Sequence, residues 1–210
     1  MKTTEEIKKI HQAVISTGNK HKLEEIGAIL EDFNLEVLSM KDVNLEGLEI
    51  IEDGNTFEEN ALIKAKAVME RTGKLTLADD SGLEVDVLDN QPGIYSARFS
   101  GENATDEKNN AKLLKMLEEV PFEKRTARFV CAMAAVFPNG DTIVLRGECP
   151  GVIGFEAKGK SGFGYDPLFI VEEYNQTFAE LGEEIKNKIS HRARALEKLK
   201  KELILRLGSD

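Results

Sequence analysis

Two adjacent carboxylates, Asp79 and Asp80, followed by Ser81 and Gly82, interrupt an otherwise apolar run from Leu75 to Leu88, LTLADDSGLEVDVL. Acids inside strand-like sequence are costly unless hydrogen-bonded, open to a cleft or neutralised by a cation, so the pair points to metal binding or proton transfer. An Asp-Ser-Gly turn between two strands explains the same residues without chemistry. The cations that would favour the first reading lie elsewhere. Thr17-Gly18-Asn19-Lys20-His21-Lys22 follows a β-prone run, Ala13 to Thr17, and leads into Leu23, Ile26 and Leu30 at helical spacing. Strand, tight turn and helix in that order offer free backbone N–H groups and a positive dipole end to an anion. Lys20 and Lys22 oppose that dipole, a cost that a bound phosphate would remove. A solvated basic turn is the plain alternative.

The elements that must position these groups can be read around them. Leu75, Leu77, Leu83, Val85 and Val87 alternate with polar residues, predicting half-buried strand on both sides of a break at Asp79–Gly82. Ahead of it, Thr56-x-x-Glu59 forms a capping box that opens a helix through Arg71, with Leu62, Ala65, Val68 and Met69 as its buried stripe and Gly73 as its stop. Asn60 and Lys64, four apart, share another face of that helix, where solvent exposure is the ordinary fate of a lysine. The acidic stretch from Asp42 to Asp53, Glu52 among it, reads as irregular surface. Beyond the carboxylates, Pro92-Gly93 marks a turn, and Thr105 to Val120 is an amphipathic helix that faces Leu113, Leu114 and Leu117 inward and ends at Pro121. Arg128 to Phe137 is apolar nearly throughout, as in a central strand, and Pro138-Asn139-Gly140-Asp141 turns it back into Thr142 to Arg146.

Gly151 to Asp166, GVIGFEAKGKSGFGYD, contains a literal P-loop match at Gly154–Ser161. A P-loop opens a helix, whereas Gly162, Gly164 and Pro167 oppose one, so the match is read as chance. The segment reads instead as a loop over a ligand, with Phe163 or Tyr165 offering a face to a base, or with Phe163 packed in the core. Leu196, Leu199, Leu203 and Leu207 predict a C-terminal helix with Ser190 as N-cap, which sets His191 and Arg192 in its first turn with Lys186 just upstream.

Composition narrows the class. The 210 residues, 41% hydrophobic and 31% charged, suit one large domain or one domain of two lobes. No apolar run approaches a membrane span, and MKTTEEIKKI lacks a signal-peptide centre, so a cytoplasmic location and no membrane partner are expected. Cys131 and Cys149 are too few for a disulfide framework or zinc site. A net charge of -10 argues against a nucleic-acid polymer as partner, yet leaves room for a small phosphorylated ligand with a divalent cation.

In order along the chain, Thr17–Lys22, Thr56-Phe-Glu-Glu-Asn-Ala61, Ala78-Asp-Asp-Ser-Gly82, Pro92-Gly-Ile-Tyr-Ser-Ala-Arg98, Gly162-Phe-Gly-Tyr-Asp-Pro167 and Ser190-His-Arg192 resemble the inosine triphosphate pyrophosphatase family, the dITP/XTP pyrophosphatases. Two departures stand out: residues 1–12 extend beyond the usual start, and Ile51-Glu52-Asp53-Gly54 replaces two consecutive glutamates before the glycine. The resemblance implies an elongated, two-lobed α/β fold around a long mixed sheet flanked by helices, here a single domain over residues 13–210, with a cleft between the lobes. It implies a magnesium-dependent homodimer that hydrolyses ITP, dITP and XTP to the monophosphate and pyrophosphate. Asp80 would be the proton acceptor and Lys64 a second catalytic group. Glu52, Asp80 and Asp79 would hold Mg2+, with Asp79 either a ligand or an orienting group. Thr17, Gly18, Asn19, Lys20, His21, Lys22 and Ser81 would bind substrate, as would Phe163, Gly164, Tyr165, Asp166, Lys186, His191 and Arg192 around the base. A catalytically silent nucleotide sensor and a magnesium phosphatase acting through an aspartyl nucleophile are the readings from other classes.

Overall fold

In the computed structural model, which describes residues 11–30 and 35–207, eight strands build one mixed sheet. They are β1 (Gln12–Ile15), β2 (Glu36–Leu38), β3 (Leu75–Val85), β4 (Gln91–Pro92), β5 (Thr126–Val136), β6 (Thr142–Ile153), β7 (Phe169–Val171) and β8 (Gln176–Thr177). Their order is β2-β1-β3-β5-β6-β7-β8, with β4 against β3. The helices are α1 (Lys20–Leu30), α2 (Phe57–Thr72), α3 (Asp106–Met116), α4 (Phe178–Leu181), α5 (Glu183–Ile189) and α6 (His191–Leu207). The mixed α/β class expected from the sequence is the one observed. Residues 1–10 of the expected N-terminal extension lie outside the described residues. The described residues divide between two compact units, one drawn from residues 11–80, 132–147 and 195–207 and the other from residues 81–131 and 148–194.

In the first unit β1 pairs in parallel with both β2 and β3, in register Ala13 to Val37 and Val14 to Thr76. The chain leaves β1 through α1 to β2 on one side, then returns through α2 to β3 on the other. Right-handed crossovers in opposite directions put α1 and α2 on opposite faces and create a switch point between β1 and β3, where open parallel sheets bind ligands. Helix α1 begins because Asn19 caps it: its Oδ1 accepts the Lys22 N–H at 3.3 Å, while Thr17 Oγ1 accepts the Asn19 N–H at 3.1 Å. Ile26 and Leu30 are its buried stripe.

Helix α2 starts where Thr56 Oγ1 accepts the Glu59 N–H at 3.1 Å. The reciprocal half of the expected capping box is displaced by one residue, since the Glu59 carboxylate accepts from Asn55 N–H at 2.6 Å. Gly73 stops the helix in the left-handed region, φ 63°, with its N–H on Met69 O. Its buried face is Phe57, Asn60, Ala61, Ala65 and Val68, not the stripe through Leu62 and Met69, which are half-buried. Small alanines line the covered side, where they allow close packing.

The expected break in β3 is absent. The strand runs without a turn through Asp79, Asp80, Ser81 and Gly82, because sheet neighbours on either side satisfy its backbone whatever its side chains carry. Val87, expected in the same strand, lies in a 3-10 turn over Asp86–Leu88 and is exposed.

The second unit has a core of Leu83, Val85, Phe99, Leu113, Leu117 and Phe129 with Phe169 and Phe178. Thr105 caps α3 through its hydroxyl on Lys108 N–H, and Leu113 is buried as expected whereas Leu114 is half-buried. The guanidinium of Arg125, 2% exposed, donates to the carbonyls of Leu117, Val120 and Gly154 and stacks 4.0 Å over Phe155. It thereby holds the end of α3 against the end of β6. Strand β6 continues to Ile153, beyond the expected Arg146, and at Gly151 any Cβ would collide with Ile170 O. No helix opens at Ser161, where residues 161–168 run as bends and turns, in keeping with a chance P-loop match. Ser190 caps α6, its Oγ accepting Ala193 N–H at 3.2 Å, and Leu196, Leu199 and Leu203 are buried along it.

Candidate active site

The two adjacent acids project to different partners, as alternation along a strand requires. Asp79, 2% exposed, meets the Lys22 ammonium of α1 at 2.9 Å. Asp80 meets α2: its Oδ1 lies 3.1 Å from Lys64 Nζ and its Oδ2 accepts from Asn60 Nδ2 at 3.2 Å. The Lys64 ammonium also donates to Glu52 Oε2 at 2.7 Å. One lysine thus bridges two carboxylates, with side-chain exposures of only 13% for Lys64 and 15% for Asp80.

Burial dominates the titration of Asp80, raising its pKa above the usual aspartate value; Lys64 and Asn60 oppose that rise without cancelling it. Burial alone would lower the lysine, but the charges of Asp80, Asp79 and Glu52 outweigh it and keep the ammonium protonated well into alkaline conditions. A carboxylate with a raised pKa, held in geometry by two donors, is a stronger proton acceptor than an ordinary aspartate.

The other expected phosphate contacts are less engaged. Lys20 is largely in solvent, 3.6 Å from Glu24 one turn on, and Gly18 and Asn19 are exposed. Thr17 is half-buried, and the side chain of His21 lies outside what is described.

The second unit assembles the aromatic and cationic residues. Asp166 Oδ2 accepts from Lys186 Nζ at 2.6 Å and from Phe163 N–H at 3.0 Å, and the ammonium stands 4.3 Å from the Phe163 ring centroid. Phe163 is half-buried. Tyr165 does not offer the expected stacking face: it is 4% exposed and its hydroxyl donates to Ser96 O at 2.8 Å, so its ring fills the core. Burial, with Asp106 nearby, drives its phenol far above the usual range. His191 stacks on Phe129 at 4.9 Å between centroids, and Arg192, 2% exposed, reaches Ser81 Oγ at 3.1 Å.

Several residues that shape these groups went unassigned in the sequence. Asp106 accepts from Gly164 N–H at 2.6 Å and Asn110 donates to Gly164 O at 3.0 Å, so one face of α3 grips both backbone groups of a residue at φ 62°. Their spacing of four on a predicted helix was the available signal. Asn60 had the same signal, four residues before Lys64.

Among the described residues no three of His, Cys, Asp and Glu converge as a metal cage. Glu52 and Asp80 nevertheless converge on a single cation, the Lys64 ammonium, and present oxygen donors only. That donor set fits Mg2+, which takes one or two carboxylates and completes its shell with water and substrate phosphates.

Paired carboxylates and lysines set beside the parallel strands β1 and β3 of a mixed sheet define a class of α/β protein equipped for phosphate-ester chemistry. Residues 13–202 match the model of the Ham1 family. A dITP/XTP pyrophosphatase of Desulforamulus reducens is 55% identical over 186 residues, 88% of this chain and 92% of its own, and one of Geobacter sulfurreducens is 55% identical over 190 residues, 90% and 95%. The solved HAM1 protein of Coxiella burnetii superposes with a TM-score of 0.86 at 38% identity, covering 93% of this chain and all of its own. The chain belongs to the Ham1 family.

Proposed function

We propose that the chain, as a cytoplasmic homodimer, hydrolyses the non-standard purine nucleoside triphosphates ITP, dITP and XTP to the monophosphate and pyrophosphate, with Mg2+. The observation that carries this reading is Asp80, a partly buried carboxylate pinned at both oxygens beside Glu52 and Lys64. Asp80 accepts a proton from water as the water oxygen bonds to the α-phosphorus, and the bond from that phosphorus to the bridging oxygen breaks, its electron pair leaving with pyrophosphate. Lys64 and Lys22 offset negative charge on the phosphates, where fixed cations are most effective in a water-poor site. Glu52 and Asp80 would hold Mg2+, which when bound neutralises phosphate charge; Asp79 is assigned to Lys22, its 2.9 Å partner, rather than to the metal. Thr17 to Lys22 would supply backbone donors to the same phosphates.

Base choice falls to Phe163, Lys186, His191 and Arg192, with Asp166, Gly164 and Ser81 orienting them. Hypoxanthine and xanthine carry a 6-oxo acceptor where adenine carries an amino donor, so donors at that position favour the oxo bases. A buried donor left unpaired can discriminate by roughly 10⁴.

One assay tests the proposal: a panel of nucleoside mono- and triphosphates with Mg2+, products identified, run on the parent and on Asp80→Asn. Pyrophosphate from ITP and XTP, reduced by on the order of 10² or more in the variant, is the expected result. Inorganic phosphate would favour the phosphatase instead, and binding without turnover the sensor.

A further inference from the structure

Asn60 sits 2% exposed between two partners of opposite demand. Its Oδ1 accepts the Gly54 N–H at 2.9 Å, and its Nδ2 donates to Asp80 Oδ2 at 3.2 Å. A backbone N–H can only donate, so it fixes which way the amide points and commits the Nδ2 end to the carboxylate. The contact to Gly54 leaves no spare room: a Cβ on that glycine would lie 2.7 Å from Asn60 Oδ1 and 2.7 Å from Glu59 Cβ. Gly54 is two residues beyond Glu52, so the amide ties the backbone that carries one acid of the site to the side chain of the other.

We propose that Asn60 is the positioning residue of this site, setting the rotation of the Asp80 carboxylate and the height of the Glu52 loop from a single helix face. Lys64 alone, on Oδ1, would leave that carboxylate free to turn about its terminal torsion, which is broad and roughly two-fold. With Asn60 one helical turn earlier on Oδ2, both oxygens are held by one rigid element, and the remaining lone pairs face a defined direction. The inference rests on the proposed role of Asp80 and adds to it the source of its orientation.

Asn60→Asp separates the two bonds. The new carboxylate still accepts from Gly54 N–H but no longer donates to Asp80, whereas Asn60→Ala removes both. Steady-state hydrolysis of ITP should show kcat down by about 10- to 100-fold in Asn60→Asp with KM within about 3-fold, the penalty of a misdirected base. Amide hydrogen exchange should show Gly54 still protected in Asn60→Asp and exposed in Asn60→Ala. Asn60→Ala, which adds no charge, carries the same kcat prediction should Asn60→Asp fail to fold. Parental kcat in a folded Asn60→Asp, with Asp80→Asn inactive, would overturn the role of Asn60 and leave that of Asp80 intact. Parental turnover in Asp80→Asn would remove the reading on which it rests. Failure of both Asn60 variants to fold would also overturn it, marking the residue as one that serves the fold.

Discussion

Replacing Lys64 by Met keeps the aliphatic stem and deletes the charge that lies 2.7 Å from Glu52 and 3.1 Å from Asp80. Removing one partner of a fully buried pair costs roughly 3–5 kcal/mol because the other charge is stranded. Here Glu52 is 33% exposed and water reaches its side of the cluster, so a cost of about 2 kcal/mol is expected after screening. For a chain of this size that is a melting temperature lower by about 4–8 °C. The loss must depend on pH in one direction. Asp80 already has a raised pKa, and without the ammonium it rises further, so on acidification the carboxyl takes up a proton and the repulsion with Glu52 disappears. The stabilisation contributed by Lys64 itself, whose pKa is raised, is fully present below the ordinary lysine value of 10.5 and is lost only as pH climbs through the higher folded value. Thermal melts of parent and variant between about pH 4 and pH 8 should therefore converge at the acid end and separate toward neutrality. Added Mg2+ should recover part of the gap at pH 8 by supplying a cation to the same two carboxylates. A gap independent of pH, or widest in acid, would refute the assignment of Lys64 as the cation that neutralises this pair.

Because burial holds the Asp80 pKa above the usual 3.8, kcat/KM for ITP should lose activity on acidification at a pH above that value; an acid limb at or below it would contradict Asp80 as the base. Arg192→Ala should change the ITP-to-ATP ratio of kcat/KM more than it changes the rate with ITP, and an unchanged ratio would withdraw its role in reading the 6-oxo group. Arg125→Met strands three carbonyl groups at once and should destabilise the chain by about 3 kcal/mol in denaturant titration, with KM for ITP unaltered.

Local signals made much of this legible. The caps of α2 and α6, the turn at Pro138–Asp141 and the apolar β5 depend on residues within a few positions of each other, so spacing alone announces them. Asp80 and Lys64 were readable as candidates, one from its place in an apolar run and the other from its place on a helix. Their pairing was not, because a 16-residue separation is closed only by the sheet. The continuity of β3 was hidden for a related reason. Whether polar residues end a strand depends on neighbours that arrive from elsewhere in the chain, and β1 and β5 flank it. Tyr165 and Phe163 are two positions apart and both aromatic, and the partner that accepts from the buried tyrosine, the Ser96 carbonyl, is distant in the chain. Arg125 shows the limit most sharply, since nothing adjacent to an arginine reveals that three carbonyls just beyond the ends of α3 and β6 await it.

The acids of β3 also act as a key for the phase of the strand. From Leu75 to Asp79 both faces are buried, so sliding by one residue would expose little and packing alone enforces the alignment weakly. Charge supplies what packing does not. Advance the strand by one and Ser81 faces Lys64; retard it by one and Ala78 faces Lys22. Either slip costs one lysine its strand carboxylate, and only the observed alignment gives both lysines an aspartate. The same two acids that meet Lys22 and Lys64 thus give the strand a single permitted reading frame, and a one-residue deletion between Leu75 and Ala78 should harm folding, read as a lower melting temperature.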